Sequence, residues 1–203
     1  METITTAKRL RELLGEPGPL TQYKIHRELS PQAQAFVRQS PFFFLATASA
    51  PGVPTVSPKG DQPGFVHVED AKTLLIPERP GNRLLFSLEN ILNNPKVGMI
   101  FLSPGTDETL RVGGHATLLR DENMNARFAS RGKPALLVMR VEIEECYFHC
   151  AKAFLRGALW NPSTWPGQMK VSFSSEINLK RAMEADAMRE LDSQIAKRYE
   201  TDL

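Results

Sequence analysis

The sequence has few cysteines, no long apolar run and no apolar leader at its start. Only Cys146 and Cys150 occur among 203 residues, so no disulfide framework stabilises the fold. The longest mostly apolar run, residues 42–50, is far shorter than the about 20 residues that a membrane-spanning helix needs. The N-terminal segment carries charges throughout, unlike a secretory signal. We therefore expect a cytoplasmic protein that does not bind a membrane.

Neither sign of charge is in large surplus. The 25 basic and 23 acidic residues give a net charge of +2, which is too balanced for a dedicated nucleic-acid-binding protein. Two windows, residues 29–60 and 146–175, nevertheless contain bases but no carboxylate. Such windows favour a bound anion, because a nearby carboxylate would oppose it. Buried strands explain the first window more simply, whereas for the second an anion site and an ordinary structural segment are equally open.

Short apolar runs separated by turn residues predict at least seven strands and few helices. The strands between residues 42 and 76 follow one another without crossover helices, which disfavours a doubly wound α/β sheet. The best fit is a mainly β fold, a small β-barrel with peripheral helices. We expect one domain over residues 1–203, with a helical extension over about 1–40 and an amphipathic helix over about 175–201.

The segment Arg79-Pro80-Gly81-Asn82-Arg83 is the sharpest local feature. Two arginines flank a Pro-Gly turn, and apolar residues at helical spacing follow at once. Backbone N–H groups at a helix start attract anions, and arginine adds bidentate hydrogen bonds to phosphate. The segment therefore indicates a phosphate site, although it lacks the spacing of a Walker loop. A surface turn with solvated arginines is the alternative.

Patterns for metal binding and nucleophilic catalysis are weak. Cys146, His149 and Cys150 would share one face of a helix, but on a strand His149 points away from both cysteines. No fourth ligand is close in the sequence, so we expect no metal site. No nucleophile elbow, Ser/His/Asp trio or dinucleotide-binding glycine motif occurs either.

Three runs of the sequence together resemble the pyridoxamine 5′-phosphate oxidase-related family of FMN-binding split barrels. They are FFFLATASAPGVPTVSPKGDQPGF, TLLIPERPGNRLLFSLENILNNPKVGMIFL and ETLRVGGHATL. The combination of VSPKGD with PERPGNR resembles a subgroup whose members mostly lack an assigned substrate. The resemblance implies a six-stranded antiparallel Greek-key split barrel, and a homodimer with FMN in the clefts between its subunits. It also implies an oxidoreductase that transfers hydride through flavin N5 to or from a small-molecule substrate.

The resemblance also implies which positions bind the cofactor. Two strands that run along the flavin contribute Val56, Ser57, Pro58 and Lys59, and Ile76 and Pro77. The turn that holds the phosphate contributes Arg79, Asn82 and Arg83, and the strand of ETLRV contributes Thr109 and Arg111. The stretch HCAKAFLRGALW matches the partner subunit's contribution, with Lys152, Arg156 and Trp160. No catalytic side chain is implied, because the flavin itself accepts and donates hydride. Lys59 is the candidate near the flavin or the substrate.

The match departs from the vitamin-forming oxidases at two phosphate ligands and at the C-terminus. Pro54 stands where they have an arginine, Leu84 stands where they have a lysine, and their arginine–histidine–aspartate–arginine signature is absent. We therefore do not expect pyridoxamine phosphate as the substrate, and Arg79 would supply the missing charge. Two alternatives stay open, a flavin-binding module for storage or sensing and a barrel that binds haem or a deazaflavin.

Overall fold

The structure, a computed structural model, describes residues 1–201. Within them lie seven strands: β1 (Phe42–Ala48), β2 (Pro54–Gly60), β3 (His67–Asp70), β4 (Thr73–Glu78), β5 (Lys96–Leu102), β6 (Thr109–Leu119) and β7 (Leu137–His149). The α-helices are α1 (Ala7–Leu14), α2 (Pro31–Gln39), α3 (Phe86–Asn93), α4 (Glu122–Arg127), α5 (Lys152–Arg156), α6 (Phe173–Asn178) and α7 (Ala185–Thr201). Short 3-10 helices cover Thr21–Lys24 and Pro162–Thr164.

The strands form one antiparallel sheet in the order β2-β1-β5-β6-β7-β4-β3. In a flat sheet β2 and β4 would lie five strand spacings apart, about 24 Å. The Lys59 ammonium on β2 nevertheless lies 2.6 Å from the Glu78 carboxylate on β4. The sheet must therefore curl until its ends meet, and the result is a barrel that is split between β2 and β4.

The predicted mainly β fold, a split barrel with peripheral helices, is confirmed. The described residues contain one strand more than the six that the resemblance implies. The shortest strand is β3, which has four residues and pairs only with β4 at one edge of the sheet. Such a short hairpin strand changes the count without changing the barrel.

The barrel interior is apolar because the strands alternate between its two faces. In β1, Phe43 and Leu45 are fully buried, whereas Phe44 between them faces outward. Phe43 packs against Phe101 of β5 with ring centroids 4.9 Å apart. Helix α2 lies against this core through Val37, which is also fully buried. One face of β1 is thus buried in the core, and the other face is exposed on the outside of the barrel.

Strand β6 contains two adjacent glycines at which the sequence predicts a bulge or a tight turn. The structure has a β-bulge between Gly113 and Gly114, and β6 continues through it as one strand. A Cβ atom on Gly114 would lie 2.1 Å from the Glu142 carbonyl oxygen of β7. Glycine is required here because the two backbones approach too closely for any side chain.

The C-terminal segment differs from the single helix predicted over about 175–201. It contains two helices, α6 and α7, joined by residues 179–184. The Asp192 carboxylate of α7 accepts hydrogen bonds from the hydroxyls of Ser172 and Ser174 at the start of α6. These bonds hold the two helices against each other, which a helical periodicity alone could not reveal.

Among residues 1–201, every helix is either too short or too polar to cross a lipid bilayer.

Candidate functional site

The outer face of the sheet at β1 and β2 is apolar and exposed. Val56 and Pro58 of β2 point outward, and Val56 is 64% exposed. Phe44 of β1 pairs in register with Pro58 and is 40% exposed. Ile100 of β5 pairs in turn with Phe44 and continues this face towards β6. Exposed side chains of this kind form a surface that suits a planar ring or a second protein surface.

The inner face of β2 is polar and contacts helix α3. Ser57 Oγ lies 2.5 Å from Ser87 Oγ in the first turn of α3. Asn90, further along the same helix, donates hydrogen bonds to the hydroxyl oxygens of Thr47 and Thr55. The contact between β2 and α3 is therefore made by polar side chains.

Two ion pairs extend this contact past the end of β2. Lys59 Nζ lies 2.7 and 2.6 Å from the two carboxylate oxygens of Glu78, and both side chains are more than four-fifths buried. Arg79 donates from Nε to Asp61 at 2.8 Å and from Nη1 to the Phe128 carbonyl oxygen at 2.7 Å. These two ion pairs and the hydrogen bonds between β2 and α3 together form what we call the polar seam. It pairs Thr55 with Asn90, Ser57 with Ser87, Lys59 with Glu78, and Asp61 with Arg79. The seam links VSPKGD to PERPGNR, the two motifs whose combination carries the resemblance.

Asp61 receives more hydrogen bonds than Arg79 alone supplies. The Ser130 hydroxyl and the Gln62 backbone N–H also donate to its carboxylate. Burial by itself raises the pKa of the Asp61 carboxyl, but the hydrogen bonds from Gln62, Arg79 and Ser130 outweigh it, and the pKa lies below its ordinary value. A cavity of about 300 Å³ opens beside this carboxylate and Arg131. Asp61 is thus ionised at neutral pH and fixed in place.

The turn at residues 80–85, which overlaps the phosphate site predicted at residues 79–83, has a strained backbone; we call it the phosphate turn. Arg83 and Leu85 have φ angles of +60° and +56°, a left-handed conformation that costs a non-glycine residue about 1 kcal/mol or more. The Asn82 side-chain oxygen accepts a hydrogen bond from the Leu84 N–H at 3.0 Å. Helix α3 begins at Phe86 rather than at Leu84 as predicted, because Leu85 is left-handed.

The start of α3 is open to an external acceptor. No side chain among the described residues caps this helix, so its first N–H groups lack a capping partner. Arg83 is exposed beside it and forms no ion pair with any described residue. An uncapped helix start next to an unpaired arginine favours a bound anion.

A second group of bases lies on the outer face at β6 and β7. Arg111 Nη1 contacts the Tyr147 hydroxyl at 3.3 Å, and Lys24 Nζ lies 5.4 Å from the centre of the Tyr147 ring. Arg111 Nε and His149 Nδ1 are buried without a hydrogen-bond partner among the described residues. Burial, with the charges of Arg111 and Lys24, lowers the pKa of His149. We call Lys24, Arg111, Tyr147 and His149 the basic cluster. Its two unsatisfied nitrogens need hydrogen-bond partners that the described residues do not provide, and for Arg111 Nε that partner is an acceptor.

The predicted residues of the C-terminal window lie beyond β7. Trp160 Nε1 donates to the Thr106 carbonyl oxygen at 2.9 Å, and its ring packs 5.8 Å from that of Phe154. Lys152 and Arg156 of α5 are exposed and form no ion pair within the part of the chain described. Trp160 thus docks α5 and the loop that follows it onto the segment before β6.

Three of the side chains predicted to bind the cofactor are buried. Ile76 belongs to the apolar core, Pro77 beside it is buried, and Thr109 at the start of β6 is only 5% exposed. The structure therefore divides the predicted residues into two groups. Val56, Ser57, Pro58, Lys59, Arg79, Asn82 and Arg83 lie at β2, the seam and the turn, whereas Thr109, Arg111, Lys152, Arg156 and Trp160 lie on β6 or beyond β7. Ile76 faces the core, Pro77 is buried on the opposite face of β4, and neither joins these groups.

The residues considered for metal binding point in different directions. Cys146 is buried and its thiol donates to the Glu28 carbonyl oxygen at 3.2 Å. Burial, with the charges of Glu145 and Glu28, raises the pKa of the Cys146 thiol. His149 lies three residues on, with the outward-facing Tyr147 rather than with Cys146, as the strand interpretation predicts. No group of three metal-ligating side chains occurs among residues 1–201.

Together these features describe a small antiparallel split barrel with an exposed apolar face and basic side chains beside it. The family model described as pyridoxamine 5′-phosphate oxidase matches residues 29–150, which is more than half of the chain. The chain belongs to this family, which confirms the resemblance seen in the sequence. A search of curated proteins finds no match.

Several solved structures are similar to the barrel. HupZ from Group A Streptococcus is 19% identical, with a TM-score of 0.48, over 59% of this chain and 92% of that one. An FMN-binding protein from Syntrophomonas wolfei is 13% identical, with a TM-score of 0.47, over 70% and 96%. HutZ, the heme storage protein from Vibrio cholerae, is 16% identical, with a TM-score of 0.38, over 57% and 89%. Likenesses this distant assign no cofactor to this chain.

The sequence does not identify the acidic half of the seam, nor Lys24 as a member of the basic cluster. Asp61 and Glu78 carry no phosphate signal, because a carboxylate opposes a bound phosphate. A signal was present: Lys59 and Asp61 end one motif, while Glu78 and Arg79 open the other, so the four charges can pair. For Tyr147 and Lys24, nothing in the sequence predicts that they meet.

Proposed function

We propose that this protein is an FMN-binding flavoprotein that acts as an oxidoreductase on a small molecule. The observation that carries the proposal is the turn at residues 80–85. Its strained backbone leads into an uncapped helix beside Arg83, which has no carboxylate partner among the described residues. Strain of this kind persists where the surrounding structure enforces it, and such positions cluster at ligand-binding sites.

The residues at the turn fit the phosphate of FMN. A phosphate monoester carries nearly two negative charges and offers three acceptor oxygens. The N–H groups at the start of α3 supply donors, and the Arg83 guanidinium supplies a positive charge with a bidentate geometry. Arg79 was expected to contribute as well, but its Nε and Nη1 are already engaged by Asp61 and Phe128. We therefore assign Arg83 and the helix start as the main phosphate-binding groups.

The ring of the cofactor fits the apolar outer face at β2. Val56 and Pro58 present exposed apolar atoms there, next to Phe44. Pro58 and Arg111 are three strands apart in register, about 14 Å across the sheet. We propose that a second copy packs on this face and brings its own basic cluster to the flavin, so that the site is shared in a homodimer.

FMN would supply the chemistry of hydride acceptance and donation. The chain's own residues bind and orient it: the turn holds the phosphate, and the outer face excludes water from one side of the ring. Lys59 is not free to act on a substrate in this structure, because Glu78 holds its ammonium at 2.6 Å. Its role is to help close the barrel beneath the cofactor.

The unused hydrogen-bonding capacity of the basic cluster supports contact with the flavin of the second copy. Arg111 Nε is a buried donor without an acceptor, and an electron-rich edge of a flavin offers acceptors; His149 Nδ1, also buried and unpartnered, can bond the same edge. A positive charge beside the ring would also favour the anionic reduced form of the flavin.

An absorbance spectrum of the purified full chain is the first test. We expect flavin bands near about 370 and 450 nm that stay with the protein after FMN is added and unbound cofactor is removed, and reduction of the bound flavin by a nicotinamide donor or a small amine. A single intense haem band would support a haem-binding barrel instead. Bound flavin that no donor reduces would indicate a storage or sensing role.

Arg83→Ala tests the phosphate assignment directly. Loss of one hydrogen bond to a charged group costs about 1.5–3 kcal/mol, so FMN affinity should fall about 10- to 150-fold. Arg189→Ala is the matched control, because Arg189 is an exposed arginine of α7 that pairs with Asp186. Unchanged FMN affinity in Arg83→Ala would overturn the assignment.

A further inference from the structure

The polar seam holds the phosphate turn from both ends. Glu78 and Arg79 immediately precede the turn and pair with Lys59 and Asp61. Ser87, which follows the turn, contacts Ser57 at 2.5 Å. Three side chains from the inner face of β2 and the loop after it thus fix the two ends of a strained segment that carries Arg83.

Arg79 is the central member of this support. Its guanidinium joins the Asp61 carboxylate to the Phe128 carbonyl oxygen, and Ser130 donates to the same carboxylate. Three segments that are distant in sequence therefore meet at one arginine. A guanidinium used in this way sets the position of the turn but has little capacity left for a phosphate.

We propose that Asp61 is a positioning residue for the cofactor phosphate, acting through Arg79 on the turn. The proposal rests on the proposed function, since it concerns the same phosphate site. In this role a negatively charged side chain favours the binding of a negatively charged phosphate. A carboxylate near a phosphate opposes binding by its charge, so its presence is explained only if its hold on Arg79 outweighs that repulsion.

Direct phosphate binding by Arg79 and positioning of the turn by Asp61 predict opposite changes in FMN affinity for Asp61→Asn. If Arg79 binds the phosphate directly, removing the carboxylate frees its charge, and FMN affinity rises. If Asp61 positions the turn through Arg79, the turn loosens and FMN affinity falls, by about fivefold or more for a coupling of this kind. Riboflavin, which has no phosphate, serves as the matched probe, and its affinity should change less than about twofold.

The experiment measures the affinities of FMN and riboflavin for the full chain and for three variants. Asp61→Asn should lower the ratio of FMN to riboflavin affinity, and Ser130→Ala, which removes one hydrogen bond to the same carboxylate, should lower it less. Glu144→Gln is the charge control, because Glu144 pairs with Lys96 and His115 instead of with the seam. An unchanged or increased ratio in Asp61→Asn would overturn the proposal.

Hydrogen exchange separates this proposal from the proposed function. In the cofactor-free protein, Asp61→Asn should speed amide exchange in residues 80–86 relative to the wild type. If the wild type binds neither flavin, the proposed function fails, but faster exchange would still establish the hold of Asp61 on the turn. If the wild type binds FMN while the affinity ratio in Asp61→Asn stays unchanged or rises, only the positioning role fails.

Discussion

The Lys59–Glu78 pair offers a direct test of how the barrel is closed. It joins β2 to β4, which are five strands apart in the sheet order, and so spans the split of the barrel. Glu78→Gln leaves the Lys59 ammonium without its counter-charge while keeping the size of the side chain. We expect the substitution to destabilise the cofactor-free protein because the remaining charge is only 17% exposed.

The magnitude follows from the burial of the pair. Breaking a fully buried ion pair by removal of one partner costs 3–5 kcal/mol, whereas exposed pairs contribute about 0.2–1 kcal/mol. With side chains 17% and 18% exposed, the pair lies between these limits, and we expect a loss of about 2 kcal/mol. For a chain of this length, that loss lowers Tm by about 4–8 °C.

A double-mutant cycle separates the pair from its surroundings. Urea unfolding followed by circular dichroism gives the free energy of unfolding for Glu78→Gln, Lys59→Met and the double variant. The double variant should cost clearly less than the sum of the two single changes, because it leaves no unpaired charge. Glu142→Gln is the control, since Glu142 pairs with Arg140 at the surface and should change stability by less than about 0.5 kcal/mol. Additive single costs, or costs below about 0.5 kcal/mol each, would refute closure by this pair.

Four further predictions concern other parts of the molecule. Because the pKa of Asp61 is lowered on folding, its contribution is complete above about pH 4 and is lost at lower pH, so urea midpoints of Asp61→Asn and wild type should converge on acidification. The imidazole of His149 should titrate below about pH 6.5 by NMR, and FMN should raise its pKa by adding negative charge; no change at saturation would remove the basic cluster from the site. Gly114→Ala should destabilise by more than about 2 kcal/mol in urea unfolding, whereas Gly81→Ala, whose Cβ meets no atom within 4 Å, should stay within about 0.5 kcal/mol. Phe44→Arg should shift sedimentation from dimer to monomer, and an unshifted dimer would exclude this face as the interface.

The sequence predicts the barrel well where a pattern is local. The apolar run from Phe42 to Thr47 predicts a buried strand, and β1 covers Phe42–Ala48. Because the run is apolar at almost every position, it does not show that Phe44 faces outward, which follows only from the burial of Phe43 and Leu45 in the barrel. Ser30-Pro31 likewise predicts the start of α2, where the Ser30 hydroxyl accepts the N–H of Ala33.

Prediction from sequence is limited where the structure depends on contacts between distant segments. The arginines of the turn predict a phosphate site, but they do not predict its left-handed backbone. Arg83 and Leu85 adopt positive φ angles, and neither is a glycine, the residue type that would indicate them. The partners of Lys59 and Asp61 lie 19 and 18 residues further along the chain and meet them only because the sheet curls. The break between α6 and α7 depends on the contacts of Asp192 with Ser172, which no periodicity reports.

The two prolines of β2 have a consequence for how copies of this chain can associate. β2 lies at one end of the sheet, and within residues 1–201 only β1 pairs with it. Pro54 and Pro58 are four residues apart, so they face the same side of the strand, and neither has an N–H to donate. A foreign strand that approached on that side would lack two of the backbone donors it needs, those of positions 54 and 58. Growth of the sheet from chain to chain, the first step of a fibril, is therefore disfavoured at β2, and association is directed to the broad outer face.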